Sequence, residues 1–257
     1  MKTVQDTWFM VVRQARNLAR EPIWIVILLV QPMVWLVLYG QLFKNVTRLG
    51  GFGTTSYITF LAPAIVVMNA FFGASWSGMS MVFDIDRKFI ERFLATPASR
   101  TSLVLSQIVR SSFQAALQAI VILLVALVLG VHIRTGVLGW LVILAVAILV
   151  NSAFAGISQG IALLARREAT VIALANFISL PLLFLSSTLL AQSQMPHWMR
   201  ALAGFNPVNW GVRAARAVAL PGTDWGAVGA NLGYLAALSV VTAAFAMWTF
   251  RVYQRSL

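Results

Sequence analysis

Long runs of uncharged, mostly apolar residues alternate along this chain with short charged segments. Six runs contain no Asp, Glu, Lys or Arg, namely Pro22–Phe43, Leu49–Phe83, Ser111–Ile133, Thr135–Ala165, Ala169–Met199 and Trp225–Phe250. The shortest has 22 residues, and an α-helix of that length extends about 33 Å. The hydrocarbon core of a bilayer is roughly 30 Å thick and needs about 20 apolar residues to cross. The pattern therefore predicts an all-α, polytopic membrane protein with six transmembrane helices.

The basic residues of the connecting segments predict the orientation of these six helices. With the N-terminus inside, the cytoplasmic segments hold 13 Lys and Arg residues and the outer segments hold 6. Cytoplasmic loops normally carry the excess of Lys and Arg. An even number of spans places both termini on one side, so we predict that both lie in the cytoplasm.

Residues 3–20 predict a separate element, a helix that lies in the inner leaflet. Its apolar residues recur at helical spacing on one face, with basic residues largely elsewhere. The stripe comprises Val4, Trp8, Val11, Val12, Ala15, Leu18 and Ala19. An arm packed on a partner protein is the alternative for this segment.

Composition narrows the possible functions. The chain is 60% hydrophobic and 10% charged, and six spans with their loops use nearly all 257 residues. We therefore expect a single transmembrane domain over 1–257. The basic residues that give the chain its net charge of +12 lie at the ends of the apolar runs. This placement favours contact with anionic membrane lipids over nucleic acid. Without cysteine, and with only two histidines, no metal site is expected.

The predicted spans lack the groups that drive many carriers. None of the six runs holds a carboxylate, a histidine pair or a charge pair for proton coupling. No phosphate-binding loop of the form G-x-x-x-x-G-K-[ST] occurs, and we identify no catalytic motif, so the chain is predicted not to be an enzyme. Energy for uphill transport would have to come from a partner. A sodium-coupled carrier and a non-transporting membrane scaffold or assembly factor remain alternatives.

Polar and small residues within the spans have two interpretations. Amides there most often form hydrogen bonds between helices, and a minority line a substrate path. The candidate path residues are Asn69, Phe72, Trp76, Asn151, Gln159 and Asn176. Small-residue pairs such as Gly156 with Gly160, and Gly229 with Gly233, predict close helix packing inside the bundle.

The longest cytoplasmic connection runs from Asp84 to Arg110. Its first part has the spacing of a short amphipathic helix, and Pro97 ends that helix because proline lacks an N–H and restricts the residue before it. A charged helix joined directly to the third span could transmit a partner's movement. The alternative is a solvated loop whose hydrophobic residues rest on the lipid headgroups.

Two regions of the chain resemble known motifs. The segment Glu91–Arg100, ERFLATPASR, resembles the E-x-L-x-x-T-P-x-S-R segment of type-2 ATP-binding-cassette (ABC) exporter permeases, the family of daunorubicin-resistance-like and polysaccharide export subunits. Residues 205–210, FNPVNW, resemble that family's N-P-[LV]-x-[YW] element, and residues 194–199 resemble its P-x-W turn. The order of the motifs and the six-span layout agree over essentially the whole chain.

The resemblance implies roles for both motifs. Within 84–100, it implies a cytoplasmic coupling helix seated on a cytosolic ABC ATPase, with Asp84, Arg87, Phe89, Glu91, Arg92, Thr96 and Pro97 as the coupling residues. Within 191–216, it implies short helices that re-enter from the outer face before the last span, with Pro196, Trp198, Asn206, Pro207 and Trp210 as the motif residues.

The resemblance also implies partners and a location. The chain would be one permease subunit, in a homodimer or in a heterodimer with a similar chain, in the cytoplasmic membrane. ATP and Mg would bind the partner ATPase, so no cofactor is expected in this chain. The substrate would be a drug or antibiotic, a lipid or a lipid-linked glycan.

Overall fold

The structure is a computed structural model, and it describes residues 30–45, 47, 52–54, 56–90 and 100–255. Every regular element within these ranges is a helix, which confirms the predicted all-α class. The predicted interfacial helix over 3–20 lies outside the described residues.

The helices follow one another with short connections. Residues 35–42 form α1, which is π-helical over Trp35–Tyr39 and α-helical over Gly40–Leu42. The remaining helices are α2 (Tyr57–Trp76), α3 (Gly78–Asp86), α4 (Arg100–Val128), α5 (Gly136–Ala165), α6 (Glu168–Phe184), α7 (His197–Gly204), α8 (Pro207–Ala219) and α9 (Trp225–Gln254). A short 3₁₀ turn, Gln192–Gln194, precedes α7.

Four stretches of the described chain are long and apolar enough to cross a bilayer. They are Tyr57–Asp86, Ser102–Val128, Gly136–Ala165 and Trp225–Gln254. They match four of the six predicted windows. Of the window Pro22–Phe43, only the part from residue 30 is described, so the count of six spans stays a prediction.

The window Ala169–Met199 contains a shorter helix than its length suggests. The helix α6 has 17 residues and extends about 26 Å. Pro181 lies in its last turn, and side chains bind the carbonyls there: Asn206 Nδ2 donates to the Leu182 carbonyl at 2.6 Å and Ser186 Oγ to the Leu183 carbonyl at 2.6 Å. These bonds allow the helix to end here without leaving its last carbonyl groups without hydrogen-bond partners.

The helix α5 is the centre of the bundle, packing against α2, α3, α4, α6, α8 and α9. Its small residues allow this close packing. A Cβ at Gly156 would lie 2.8 Å from the Thr242 carbonyl on α9, and one at Gly160 would lie 2.3 Å from the Phe245 ring. The prediction that Gly156 and Gly160 pack inside the bundle is confirmed.

The second glycine pair behaves differently. Gly229 and Gly233 on α9 are exposed, and a Cβ at either would meet no atom within 4 Å. Among the described residues nothing packs on this face, so the prediction that the pair packs inside the bundle is wrong for the described part of the chain. Spacing cannot tell which face of a helix the other helices cover.

The alternating direction of the long helices gives the bundle two ends. The Arg216 end contains the starts of α2 and α9, the connection 129–135 and the segment 185–224. The Asp84 end contains the ends of α3, α5 and α9 and the starts of α4 and α6. The two motifs found in the sequence therefore belong to opposite ends.

Candidate functional site

A hydrogen bond joins the helices on either side of the connection 87–99. Gln107 Nε2 on α4 donates to Asp84 Oδ2 on α3 at 2.8 Å. Asp84 is half-buried, where a hydrogen bond to a carboxylate is stronger than one between neutral groups. The bond fixes the end of α3 against the first turns of α4.

The chain turns immediately after this contact. The helix α3 ends at Asp86, and Lys88 has a left-handed backbone with φ of 54°. Phe89 and Ile90 are helical again, and Ile90 is fully buried. Asp84 therefore belongs to the helix that continues from the span, and not to the start of a surface helix as the spacing suggested. Arg87 is exposed in the turn.

The remaining predicted coupling residues are Glu91, Arg92, Thr96 and Pro97, and all four lie outside the described residues. Their assignment stays a prediction.

Arg110 corrects the picture of uncharged spans. The helix α4 begins at Arg100, well before the charge-free window, so Arg110 falls inside the candidate span Ser102–Val128. Its Nε atom is buried without a hydrogen-bond partner among the described residues. The sequence window missed this residue because a charge was used to set the window's edge.

At the opposite end, the predicted outer motif forms a compact corner. Asn206 caps α8, its Oδ1 accepting from the Val208 N–H at 2.9 Å, and Pro207 occupies the first turn. Proline suits that position because its missing N–H would have no helical partner there. Through the bond from its Nδ2 to Leu182, Asn206 also ties the start of α8 to the end of α6.

The two aromatic residues of the motif differ in role. Trp210 Nε1 donates to the Gly204 carbonyl at 2.7 Å, and its ring lies 5.4 Å from that of Tyr234 on α9. Trp198 on α7 is 59% exposed, and Pro196 immediately precedes that helix. Exposed Trp is typical of a membrane interface.

Arg216 is the centre of the Arg216 end. Its side chain is 8% exposed and donates from Nε to the Phe60 carbonyl at 3.0 Å, from Nη2 to the Thr188 carbonyl at 2.6 Å and from Nη1 to the Ser187 carbonyl. It thereby joins α8, the start of α2 and the segment after α6. Asn209 forms a second contact between α8 and the segment after α6, because its Oδ1 accepts from the Ser187 hydroxyl at 2.6 Å.

From the sequence alone, Arg216 is only one of the outer positive charges. The signal for its burial is the surrounding run of small residues, Ala214, Ala215, Ala217 and Ala219. Such a run of small residues on one helix indicates that neighbouring helices approach closely there.

Two of the candidate path residues form hydrogen bonds between helices. Asn69 Nδ2 on α2 donates to Gln118 Oε1 on α4 at 2.8 Å. Asn151 on α5 accepts from the Ser111 hydroxyl at 2.8 Å and donates to the Ala70 carbonyl at 3.1 Å. Both amides therefore serve the helix-to-helix contacts that the sequence offered as the alternative.

The other four lie in different surroundings. Phe72 is half-buried against the core and Trp76 is 42% exposed. Gln159 is fully buried, yet neither its Nε2 nor its Oε1 has a partner among the described residues. Asn176 lies on the exposed face of α6. Phe72 and Trp76 lie one turn apart on α2, whereas Gln159 lies on α5 and Asn176 on α6.

Two cavities stand out in the described bundle. One, of about 20 Å³, lies where α2, α5 and α6 meet and is lined by the hydroxyl residues Ser75, Ser158 and Ser179. The other, of about 350 Å³, opens at the Arg216 end. None of the candidate path residues lines either cavity.

Comparison with known proteins places the chain in a family. The family model for "ABC-2 type transporter" matches residues 5–220. The chain belongs to the ABC-2 type transporter family. It is therefore a multi-pass membrane protein and the membrane subunit of an ABC transporter, a class of subunit that is not itself catalytic and that works with an ABC ATPase.

Individual relatives agree with the family model. The chain is 29% identical over 223 residues to a putative transport permease, ycf38, of Porphyra purpurea, covering 86% of this chain and 76% of the relative. It is 23% identical over 235 residues to the daunorubicin resistance ABC transporter permease protein DrrB1 of Streptomyces coeruleorubidus, covering 91% and 80%. It is 28% identical over 197 residues to nodulation protein J of Bradyrhizobium diazoefficiens, covering 71% and 74%. The resemblance drawn from the two motifs is confirmed.

Proposed function

We propose that this ABC-2 permease is an exporter subunit that moves a lipophilic or amphipathic molecule outward across the cytoplasmic membrane. A drug, a lipid or a lipid-linked glycan fits the predominantly apolar spans. One relative is named as a daunorubicin resistance permease, which supports the drug among these classes. The excess of basic residues supports a cytoplasmic position for the Asp84 end.

The hydrogen bond between Asp84 and Gln107 carries this proposal. It ties α3 to α4 on both sides of the connection 87–99. A partner that binds this connection would therefore move two spanning helices as one unit. Glu91, Arg92, Thr96 and Pro97 in the connection match the coupling motif, and ATP and Mg would act in the partner ATPase bound there.

A second permease subunit completes the proposal. Asn176 places an amide on the exposed face of α6, beside Phe177, which is 76% exposed. An amide facing hydrocarbon lacks hydrogen-bond partners, whereas one at a helix interface can find them. We assign this face to the contact with a second copy or a similar chain, with the transport route between the two subunits.

The proposal is tested by purifying the full chain together with the ABC ATPase that co-purifies with it. In proteoliposomes, ATP hydrolysis should rise when daunorubicin is added as a lipophilic probe. The Glu91→Ala variant should lose this stimulation. Glu168→Ala is the matched control, because it removes the same charge from the start of α6, which lies at the Asp84 end.

The same proteoliposomes separate the alternatives. Probe movement driven by a sodium gradient without nucleotide would replace the proposal with a carrier. ATP hydrolysis that no lipophilic probe stimulates, with no probe movement, would favour a scaffold.

A further inference from the structure

The cavity at the Arg216 end has a cationic floor and apolar walls. About 350 Å³ in volume, it is lined by Phe52, Gly53, Phe60, Ser187, Ala191, Gln192, Arg213, Arg216, Ala217, Leu220, Pro221, Ala227 and Asn231. Both cations come from α8, three residues apart, so their side chains leave the same face of the helix. None of the described residues that line the cavity is acidic.

No described residue neutralises the charge of these arginines. Among the described residues, neither Arg213 nor Arg216 forms an ion pair, and Arg213 is exposed. Arg216 uses three N–H donors on carbonyls, and a guanidinium has five. Two N–H donors of Arg216 therefore have no partner among the described residues, and both arginines line the cavity.

Arg216 is also held rigidly, as a ligand-binding group should be. Its guanidinium carbon lies 3.4 Å from the centre of the Phe60 ring, and its three carbonyl partners fix the plane of the group. A planar, fixed guanidinium suits an oxyanion that accepts two hydrogen bonds, above all a phosphate.

The cavity lies at the level where spanning helices begin. Phe60 is in the first turn of α2, and Ala227 and Asn231 are in the first two turns of α9. Trp225, at the start of α9, is 48% exposed, as expected of a side chain at the headgroup level. The abundant anion at that depth is the phosphate of a phospholipid.

We propose that the cavity over Arg213 and Arg216 binds the phosphate of an anionic phospholipid headgroup, with the apolar walls holding the glycerol and the first carbons of the chains. This site goes beyond the exporter function, because it requires neither nucleotide nor the ATPase. Free inorganic phosphate offers the same chemistry to the arginines, so the experiment distinguishes the two sources.

The test uses native mass spectrometry of the full chain in detergent, titrated with phosphatidylglycerol or phosphatidylcholine. The wild type should retain phosphatidylglycerol more strongly. Arg213→Gln should weaken that retention about tenfold, the effect of losing one charge-assisted hydrogen bond, and should leave phosphatidylcholine unchanged. Arg213 is chosen because it is exposed and the fold does not depend on it, whereas Arg216 also holds the helices together.

Arg134→Gln is the matched control, since Arg134 is an exposed arginine at the same end that does not line the cavity. Equal losses in the two variants would overturn the proposal in favour of general attraction to charge. Unchanged binding in Arg213→Gln would also overturn it. Displacement of the lipid by millimolar inorganic phosphate alone would overturn the lipid assignment and leave a free-phosphate site. Because no nucleotide is present, none of these outcomes bears on transport.

Discussion

The guanidinium of Arg216 stacks on the Phe60 ring at 3.4 Å while its Nε donates to the Phe60 carbonyl at 3.0 Å. One residue of α8 is thus bound to both the side chain and the backbone of one residue of α2. Such a double contact attaches the short helix α8 to the bundle. The predicted re-entry of α8 from the outer face would need this kind of attachment, because irregular backbone within a membrane must be buried in protein or face water.

Replacing Arg216 should destabilise the protein. Arg216→Met keeps much of the volume but removes three hydrogen bonds and leaves the Ser187 and Thr188 carbonyls without those donors. A loss on the order of 3 kcal/mol is expected. Unfolding by sodium dodecyl sulfate in detergent micelles measures it. Arg213→Met, on the same helix and exposed, should change stability by less than about 1 kcal/mol, and equal losses would show that Arg216 does not hold the corner.

Two glycine substitutions should have opposite effects. Gly156→Ala should destabilise the bundle, because the added Cβ would lie 2.8 Å from the backbone of Thr242 and push α5 away from α9. Gly229→Ala should be neutral or stabilising by up to about 1 kcal/mol, since alanine favours the helix and nothing lies within 4 Å. Thermal unfolding of the two variants, measured side by side, tests this prediction. A destabilising Gly229→Ala would indicate that this face of α9 is covered.

Those two glycines also show what could and could not be predicted from sequence. Charge-free runs locate helices well, because a charge in hydrocarbon is costly, and α5 and α9 begin within a residue of their predicted windows. Spacing alone does not reveal which neighbour covers a face, so Gly156 and Gly229 look alike in sequence. Helix ends within an apolar run are also hidden, as at Phe184, where contacts from Asn206 support the break.

The candidate sites show the same difference between what can be predicted from sequence and what cannot. The motif around Asn206 and Pro207 can be identified from sequence because it resembles a family motif in a short, continuous segment. The roles of Arg216 and Asp84 were not, because their partners lie far away along the chain. The bond from Arg216 to Phe60 joins residues 156 positions apart, and no local pattern marks it.

Removing the amide of Gln159 should stabilise the fold. Gln159 is fully buried with no hydrogen-bond partner among the described residues, and an unsatisfied buried amide costs on the order of 1–3 kcal/mol. Gln159→Met should therefore raise the free energy of unfolding. Asn151→Leu is the control and should lower it, because Asn151 bonds both Ser111 and the Ala70 carbonyl. A destabilised Gln159→Met would indicate that the amide has a partner.

The proposed contact between subunits can be tested by cross-linking, because the chain has no cysteine. Asn176→Cys in membranes should give a covalent dimer with a bifunctional thiol reagent. Val240→Cys serves as the control, since Val240 is 70% exposed but lies on α9. Cross-linking only through position 240 would show that the contact between subunits does not lie on α6.

The central claim is that a partner ATPase drives export through the connection that begins after Asp84. Inside-out membrane vesicles containing the permease and its ATPase measure this directly, as ATP-dependent accumulation of daunorubicin in the vesicle lumen. Accumulation should require ATP, fall at least about tenfold in Glu91→Ala and persist in Glu168→Ala. Accumulation that continues in Glu91→Ala at the wild-type rate, or that follows an ion gradient without ATP, would contradict the claim.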